Sequence, residues 1–217
     1  MKKIALVYTL ILALVCSFEA AAQKDPKAKV ILDAMSQKFQ KMNGFTANFS
    51  FTFQDASGTG DRQTGEIAVK GEQYRLKIPD QEIYNDGKTV WTYIQSDNYK
   101  EVTINDAGQM EGELTPSNIY RLYEKDYSYK LIGEKQFQGK TAQIIELFAE
   151  KSNAPFEQVK LMIDKNSSNL LGWEMFDGQG GVFSYTFNNL KVDANLPSSY
   201  FVFDTKQYPG IEVIDLR

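Results

Sequence analysis

The chain has 217 residues, with 24 basic and 28 acidic side chains, a net charge of -4 and no histidine. The acidic balance speaks against nucleic acid, which needs a basic footprint, and against lasting adhesion to anionic lipid. The absence of histidine excludes Ser-His-Asp and Cys-His nucleophile pairs and His-based zinc sites, and the sole cysteine, Cys16, leaves no thiol pair for a disulfide, a metal or a redox centre.

Met1-Lys2-Lys3, the apolar run from Ile4 to Cys16 and the small residues Ala20-Ala21-Ala22 describe a secretory signal peptide over 1–22. The run is shorter than the ~20 residues that span a bilayer. Val15 stands before Cys16, where a lipid-bearing cysteine would need a small residue, so lipidation there is not expected. The mature chain, 23–217, is expected to be a soluble single domain in the periplasm of a Gram-negative envelope. Without Lys2, Lys3 and Glu19 it carries 22 basic and 27 acidic residues. It is long enough to bury a core without cross-links.

Asp25-Pro26 opens a helical pattern with Ile31, Met35, Phe39 and Met42 on one stripe, and Asn43-Gly44 stops it. Period two then takes over. Phe49, Phe51 and Phe53 alternate with Asn48, Ser50 and Thr52. A turn-rich stretch from Asp55 to Asp61 leads to a strand around 65–70, and Tyr74, Leu76 and Ile78 alternate with Arg75 and Lys77. Asn85-Asp86-Gly87-Lys88 is a hairpin signal. After it, Trp91 and Tyr93 alternate with Val90, Thr92 and Ile94, and Val102 and Ile104 mark a further strand.

Thr115-Pro116 interrupts this pattern as the N-cap and first residue of a short helix carrying Ile119, Leu122 and Tyr123. Strands resume at Tyr127-Tyr129-Leu131, Ala142 to Phe148, Val159-Leu161-Ile163, Leu171-Trp173-Met175 and Phe183-Tyr185-Phe187, before a tail with Phe201, Phe203 and Pro209-Gly210. Hairpin-length connections imply antiparallel pairing, and one-sided apolar strands imply a sheet covered on one face. The expected fold is mainly β (α+β), a barrel or half-barrel of about ten to eleven strands with the helices as its lid.

Chemistry-bearing motifs are weak. Asp177 to Gly181 lacks the Lys-Ser/Thr of a phosphate loop and reads as a hairpin turn. Glu66, Glu82 and Asp86 could pair as glycosidase carboxylates, but they occupy outward or turn positions where charge is expected anyway, and no Ser-x-x-Lys is present. The chain is therefore read as a non-enzyme with no cofactor and no metal. Its aromatic load of 14 Phe, 12 Tyr and 2 Trp could simply fill a core. Opposite a lid carrying the soft side chains Met35 and Met42, it also suits a hydrophobic cavity.

Gly65 to Lys70, Tyr74-Arg75-Leu76 and the hairpin from Asn85 to Tyr93 resemble the LolA family, periplasmic carriers that move lipoproteins from inner to outer membrane. The resemblance continues through Phe39 to Phe53, Leu171 to Phe187 and Leu196 to Phe203, the last similar to the family's closing strand. It implies an unclosed antiparallel β-barrel whose helical lid encloses a hydrophobic cavity for acyl chains. It implies acylated lipoproteins as cargo, loading by an inner-membrane ABC transporter, release to an outer-membrane acceptor, and action as a monomer. The expected lipid-binding residues are Phe49, Phe51, Tyr74, Leu76, Trp91 and Tyr93 in the sheet, with Met35 and Phe39 on the lid. Many family members place an Arg directly after the strand matching Ile67 to Lys70, where it helps latch the lid. Here Gly71-Glu72 stands there and the nearest Arg is Arg75, so a different latch is expected. Alternatives with the same fold are an envelope sensor or interaction module, or a carrier of another lipid or glycolipid.

Overall fold

The computed structural model describes residues 24–217 apart from 98, 111–114, 153 and 155; the expected signal peptide, 1–22, lies outside the described residues. Helix α1, Pro26–Lys41, starts as its sequence dictates. The Asp25 side chain accepts from the Lys27 N–H, Pro26 fills the first turn where its missing N–H costs nothing, and Lys38 and Lys41 sit at the negative end of the helix dipole. Ala28, Leu32 and Met35 form its buried line, with Ile31, Phe39 and Met42 half-buried beside it. The same Asp25 carboxylate accepts from the Leu131 N–H while its own N–H donates to the Tyr129 carbonyl, which ties the helix start to the sheet edge.

Twelve strands form one sheet. They are β1 Phe45–Gln54, β2 Gly60–Lys70, β3 Gln73–Ile78, β4 Gln81–Asn85, β5 Thr89–Ser96 and β6 Tyr99–Asp106, then β7 Tyr127–Phe137, β8 Lys140–Ala149, β9 Gln158–Asp164, β10 Leu170–Phe176, β11 Val182–Val192 and β12 Glu212–Asp215. The order is β12-β6-β5-β4-β3-β2-β1-β11-β10-β9-β8-β7, so β12 and β7 are the two edge strands, not paired with each other, and the half-barrel stays open. All pairs are antiparallel except β12 on β6. That parallel strand takes the count one above the expected range; the tail has the length to run back along β6, whereas a hairpin could not supply a parallel neighbour.

Two further elements differ from the sequence reading. Thr115-Pro116 begins a turn, and the helix after it is a 3-10 segment over Ile119–Glu124. The Thr115 Oγ1 accepts from the Asn118 N–H and the Asn118 Oδ1 accepts from the Thr115 N–H, a reciprocal cap. Beyond it Tyr120 and Tyr123 are both buried, and a three-residue repeat aligns i and i+3 on one side. Likewise Ser198–Phe201 is a 3-10 turn, and the closing strand lies farther on as β12.

The sheet buries both faces, in different places. The inner face carries α1, the 3-10 segment and the main core, from Phe45 and Val69 across to Leu147, Leu161 and Leu170. On the outer face the tail lays Phe203 against Tyr84 and Tyr93, ring centres 5.5 and 5.3 Å away, beside Val102. Arg75 lies between the rings of Tyr84 and Tyr200 at 4.6 and 4.9 Å and pairs with Glu82 at 2.7 Å, where the Tyr84 hydroxyl also donates. Burial and the Glu82 carboxylate push the Tyr84 hydroxyl well above its usual range.

Candidate functional site

Register decides which side chains meet. Leu76 stands opposite Ile67 on β2 and Ile83 on β4, and Phe49 opposite Phe187 on β11 and Gly65 on β2. A Cβ at Gly65 would run into the Lys77 carbonyl and the Phe49 ring, so glycine is what lets that ring lie flat on the β2 backbone. Across the inner face Trp173 stacks on Tyr185 (4.8 Å, 14°) and meets Phe187 edge-on (5.4 Å, 71°).

Between these two walls lies a hollow of about 200 Å³. Phe49, Ile67, Tyr74, Leu76 and Ile83 border it on one side, Trp173, Met175, Tyr185 and Phe187 on the other, and Thr115-Pro116 closes over it. No charged side chain is among these described lining residues. Past the hollow the apolar wall continues to the strand ends, with Phe51 4.7 Å from Tyr185, Phe53 4.8 Å from Phe183 and Phe156 5.8 Å from Phe183. A larger depression of about 650 Å³ opens on the outer face, but Glu66, Arg75, Lys77 and Lys191 line it. It is a polar groove unsuited to a hydrocarbon.

The expected site residues therefore divide. Phe49, Tyr74 and Leu76 stand in the wall of the hollow. Phe51 lies one step nearer the strand ends, against the wall residue Tyr185. Met35 and Phe39 belong to the same core at its lid end, where Phe39 stacks on Tyr120 at 3.9 Å and 6°. Trp91 and Tyr93 are elsewhere: Trp91 pairs with Tyr84 and Tyr93 with Glu82, which puts both on the outer face under the tail. The physical reason is the hairpin register, which turns Thr92 and Ile83 inward together. Trp173, Met175, Tyr185 and Phe187, which the sequence marks only as alternating strand positions, complete the wall with Ile67 and Ile83.

Arg75 takes no part in the lid. The covering segments are held to one another and to the sheet by other contacts. The Tyr123 hydroxyl donates to the Asp33 carboxylate on α1 at 2.8 Å, and the Lys38 ammonium donates to the Ser167 carbonyl at 2.6 Å. The Lys29 hydrogen bond, and after it that of Tyr123, holds Asp33 below its usual carboxylate range, while burial pushes Tyr123 up. Tyr123→Phe removes the lid-to-lid bond and is expected to cost about 1 kcal/mol. Amide exchange over 26–41 should quicken while β1 stays protected. Because the folded-state pKa of Asp33 is depressed, its contribution is present above the ordinary carboxylate value near ~4 and is lost as pH falls through the lower folded value. The difference between Tyr123→Phe and the parent should therefore shrink below about pH 4. A difference that persists there would mean that Asp33 is not the acceptor that matters.

These features have relatives. The family model for "Outer membrane lipoprotein carrier protein LolA" matches residues 40–204. The "Outer-membrane lipoprotein carrier protein" of Legionella pneumophila strain Corby is 25% identical over 210 residues, 94% of this chain and 96% of the relative. An uncharacterized protein of Methanocaldococcus jannaschii is 25% identical over 190 residues, and the match spans 86% of this chain but only 54% of that one. Among solved structures, an uncharacterized conserved protein from Thermus thermophilus superposes with a TM-score of 0.58 at 16% identity, covering 87% of this chain and 99% of that one. With the family match running from the end of α1 through the tail, the chain belongs to the LolA family of outer membrane lipoprotein carrier proteins.

Proposed function

We propose that the mature chain is a periplasmic carrier, not a catalyst, which takes the acyl chains of lipoproteins from an inner-membrane ABC transporter and hands them to an outer-membrane acceptor. The observation that carries this reading is the hollow under Thr115-Pro116, with no charged side chain among its described lining residues, extended by an aromatic wall toward the strand ends. Met35, Phe39, Phe49, Phe51, Tyr74 and Leu76 bind acyl chain in this proposal, with Trp173, Met175, Tyr185 and Phe187 as the opposite wall. Trp91 and Tyr93 are left out of it.

Magnitudes say that the hollow must grow. At the ~30 Å³ that one water occupies in the liquid, about 200 Å³ holds roughly seven methylene-sized groups. At about 0.8 kcal/mol per methylene that is about 5–6 kcal/mol, while a whole long chain offers about 10. The hollow is also smaller than the ~300 Å³ at which ligand sites usually begin. The polar contacts that hold the cover are few: one lid-to-lid hydrogen bond, one Lys-to-carbonyl bond and the Asp25 bonds to β7, beside the Phe39–Tyr120 stack. Cargo entering from the strand ends can displace such contacts at a net gain.

The test is saturable binding of a fluorescent acyl probe by delipidated protein, together with lipoprotein localisation in a depletion strain. Saturable binding and retention of lipoproteins at the inner membrane are the expected results. No binding would sink the carrier reading. A pull-down that yields an envelope regulator and no lipoprotein would replace it with the sensor.

A further inference from the structure

One residue in the wall of the hollow, Trp173, carries a polar atom that the carrier reading does not use. Trp173 is 4% exposed, and its indole Nε1 is sealed from water without a hydrogen-bond partner among the described residues. Buried donors are normally paired, and one left unpaired in an apolar wall is a standing cost. Its ring is fixed by the Tyr185 stack and the Phe187 edge contact, so the N–H cannot readily turn away to find water. The missing partner is an acceptor. The described wall contains no Lys or Arg that could neutralise an anion, so a free carboxylate or a phosphate drawn to this depth would be buried without a counter-charge. A neutral carbonyl oxygen meets both conditions, because it accepts one hydrogen bond and brings no charge.

We propose that Trp173 donates its indole N–H to the ester carbonyl at the head of a bound acyl chain, so that the hollow selects esterified chains over alkyl ethers and over ionised fatty acids. The proposal rests on the acyl-carrier reading and names the chemical group that this site recognises. Hydrocarbon length supplies affinity; the N–H supplies discrimination, since an ester leaves the donor satisfied and an ether offers it only a weak acceptor.

The experiment compares 1,2-dioctanoylglycerol with its diether, 1,2-di-O-octylglycerol, by calorimetry on the mature chain. The diester is expected to bind about five- to tenfold more tightly, the effect of one net hydrogen bond. In Trp173→Phe, which keeps an aromatic ring and loses the donor, the ratio is expected to fall within twofold, whereas Trp91→Phe on the outer face keeps it. Should Trp173→Phe fail to fold, Trp91→Phe leaves Trp173 as the single tryptophan, and its emission should shift with the diester and not with the diether. Equal binding of the two lipids by the parent chain, or a preference that survives in Trp173→Phe, overturns the carbonyl contact alone. Binding of neither lipid defeats the carrier reading and this proposal with it.

Discussion

Phe45→Ala is expected to destabilise the protein by about 3–5 kcal/mol, a large effect for one side chain. Phe45 is 1% exposed and joins lid, covering segment and sheet in one cluster: its ring meets Phe39 and Tyr120 at 6.4 Å and Phe187 at 5.8 Å, all edge-on. Truncation removes the transfer energy of the ring and leaves a void that the β1 backbone, paired on both sides, cannot close. For a chain of this size each kcal/mol lowers the thermal midpoint by roughly 2–4 °C, so a fall of about 6–20 °C is expected in a calorimetric scan. A second readout separates this from ordinary core damage. Phe187 also borders the hollow, so the new space lies on its inward side and lengthens the channel available to an acyl chain. Probe affinity should therefore hold or improve although the fold is weaker. A midpoint shift under about 3 °C would mean that the lid end is already loosely packed in solution. Lost probe affinity at full folding would mean that the Phe45 ring, through its contact with Phe187, holds the binding wall in shape.

The strands were legible because each inner-face run alternates cleanly, as in Tyr74-Leu76 against Arg75-Lys77. Closure was less so. That β1 pairs with β11, bringing Phe49 opposite Phe187, is a contact across most of the chain and leaves no local trace. Hence the Trp173 and Tyr185 wall was visible as strands but not as half of a site. Trp91 and Tyr93 failed for another reason. Both alternations in β5 are apolar, since Val90 is buried on the inner face and Tyr93 beneath the tail on the outer one, so aromatic bulk alone does not mark the cavity face. The signal that could have corrected this was present. Two tight hairpins carry the face of Leu76 to Ile83 and then to Thr92, so the charged face of Arg75 and Lys77 leads to Tyr84, Trp91 and Tyr93. The tail itself was opaque. Tyr200 packing on Arg75 and Phe203 on Tyr93 depend on where β3 and β5 lie in space, and strand 212–215 is too short and too polar for periodicity to mark.

Leu76→Glu is the variant that should most cleanly abolish cargo binding while sparing the sheet. Leu76 stands in the wall of the hollow between Ile67 and Ile83, both wall residues themselves, and it is half-buried, so β3 can keep its pairing with the new side chain turned toward the hollow. A carboxylate there faces no cation among the described wall residues. Ionised, it must be hydrated, and the water it holds occupies the space that hydrocarbon would take; neutralised by a raised pKa, it still presents an unpaired polar group to the chain. Either way acyl-probe affinity should fall by more than tenfold near neutral pH, about 1.4 kcal/mol or more, and recover in part as the medium is acidified through the raised carboxyl pKa. Trp91→Ala is the matched comparison from the other face. It removes a larger ring from beside the outer cluster under the tail and should lower stability, yet leave probe affinity within twofold because β5 turns that side chain away from the hollow. If Leu76→Glu binds normally while Trp91→Ala does not, cargo rides on the outer face beneath the tail, and the inner hollow is only an imperfection in the core.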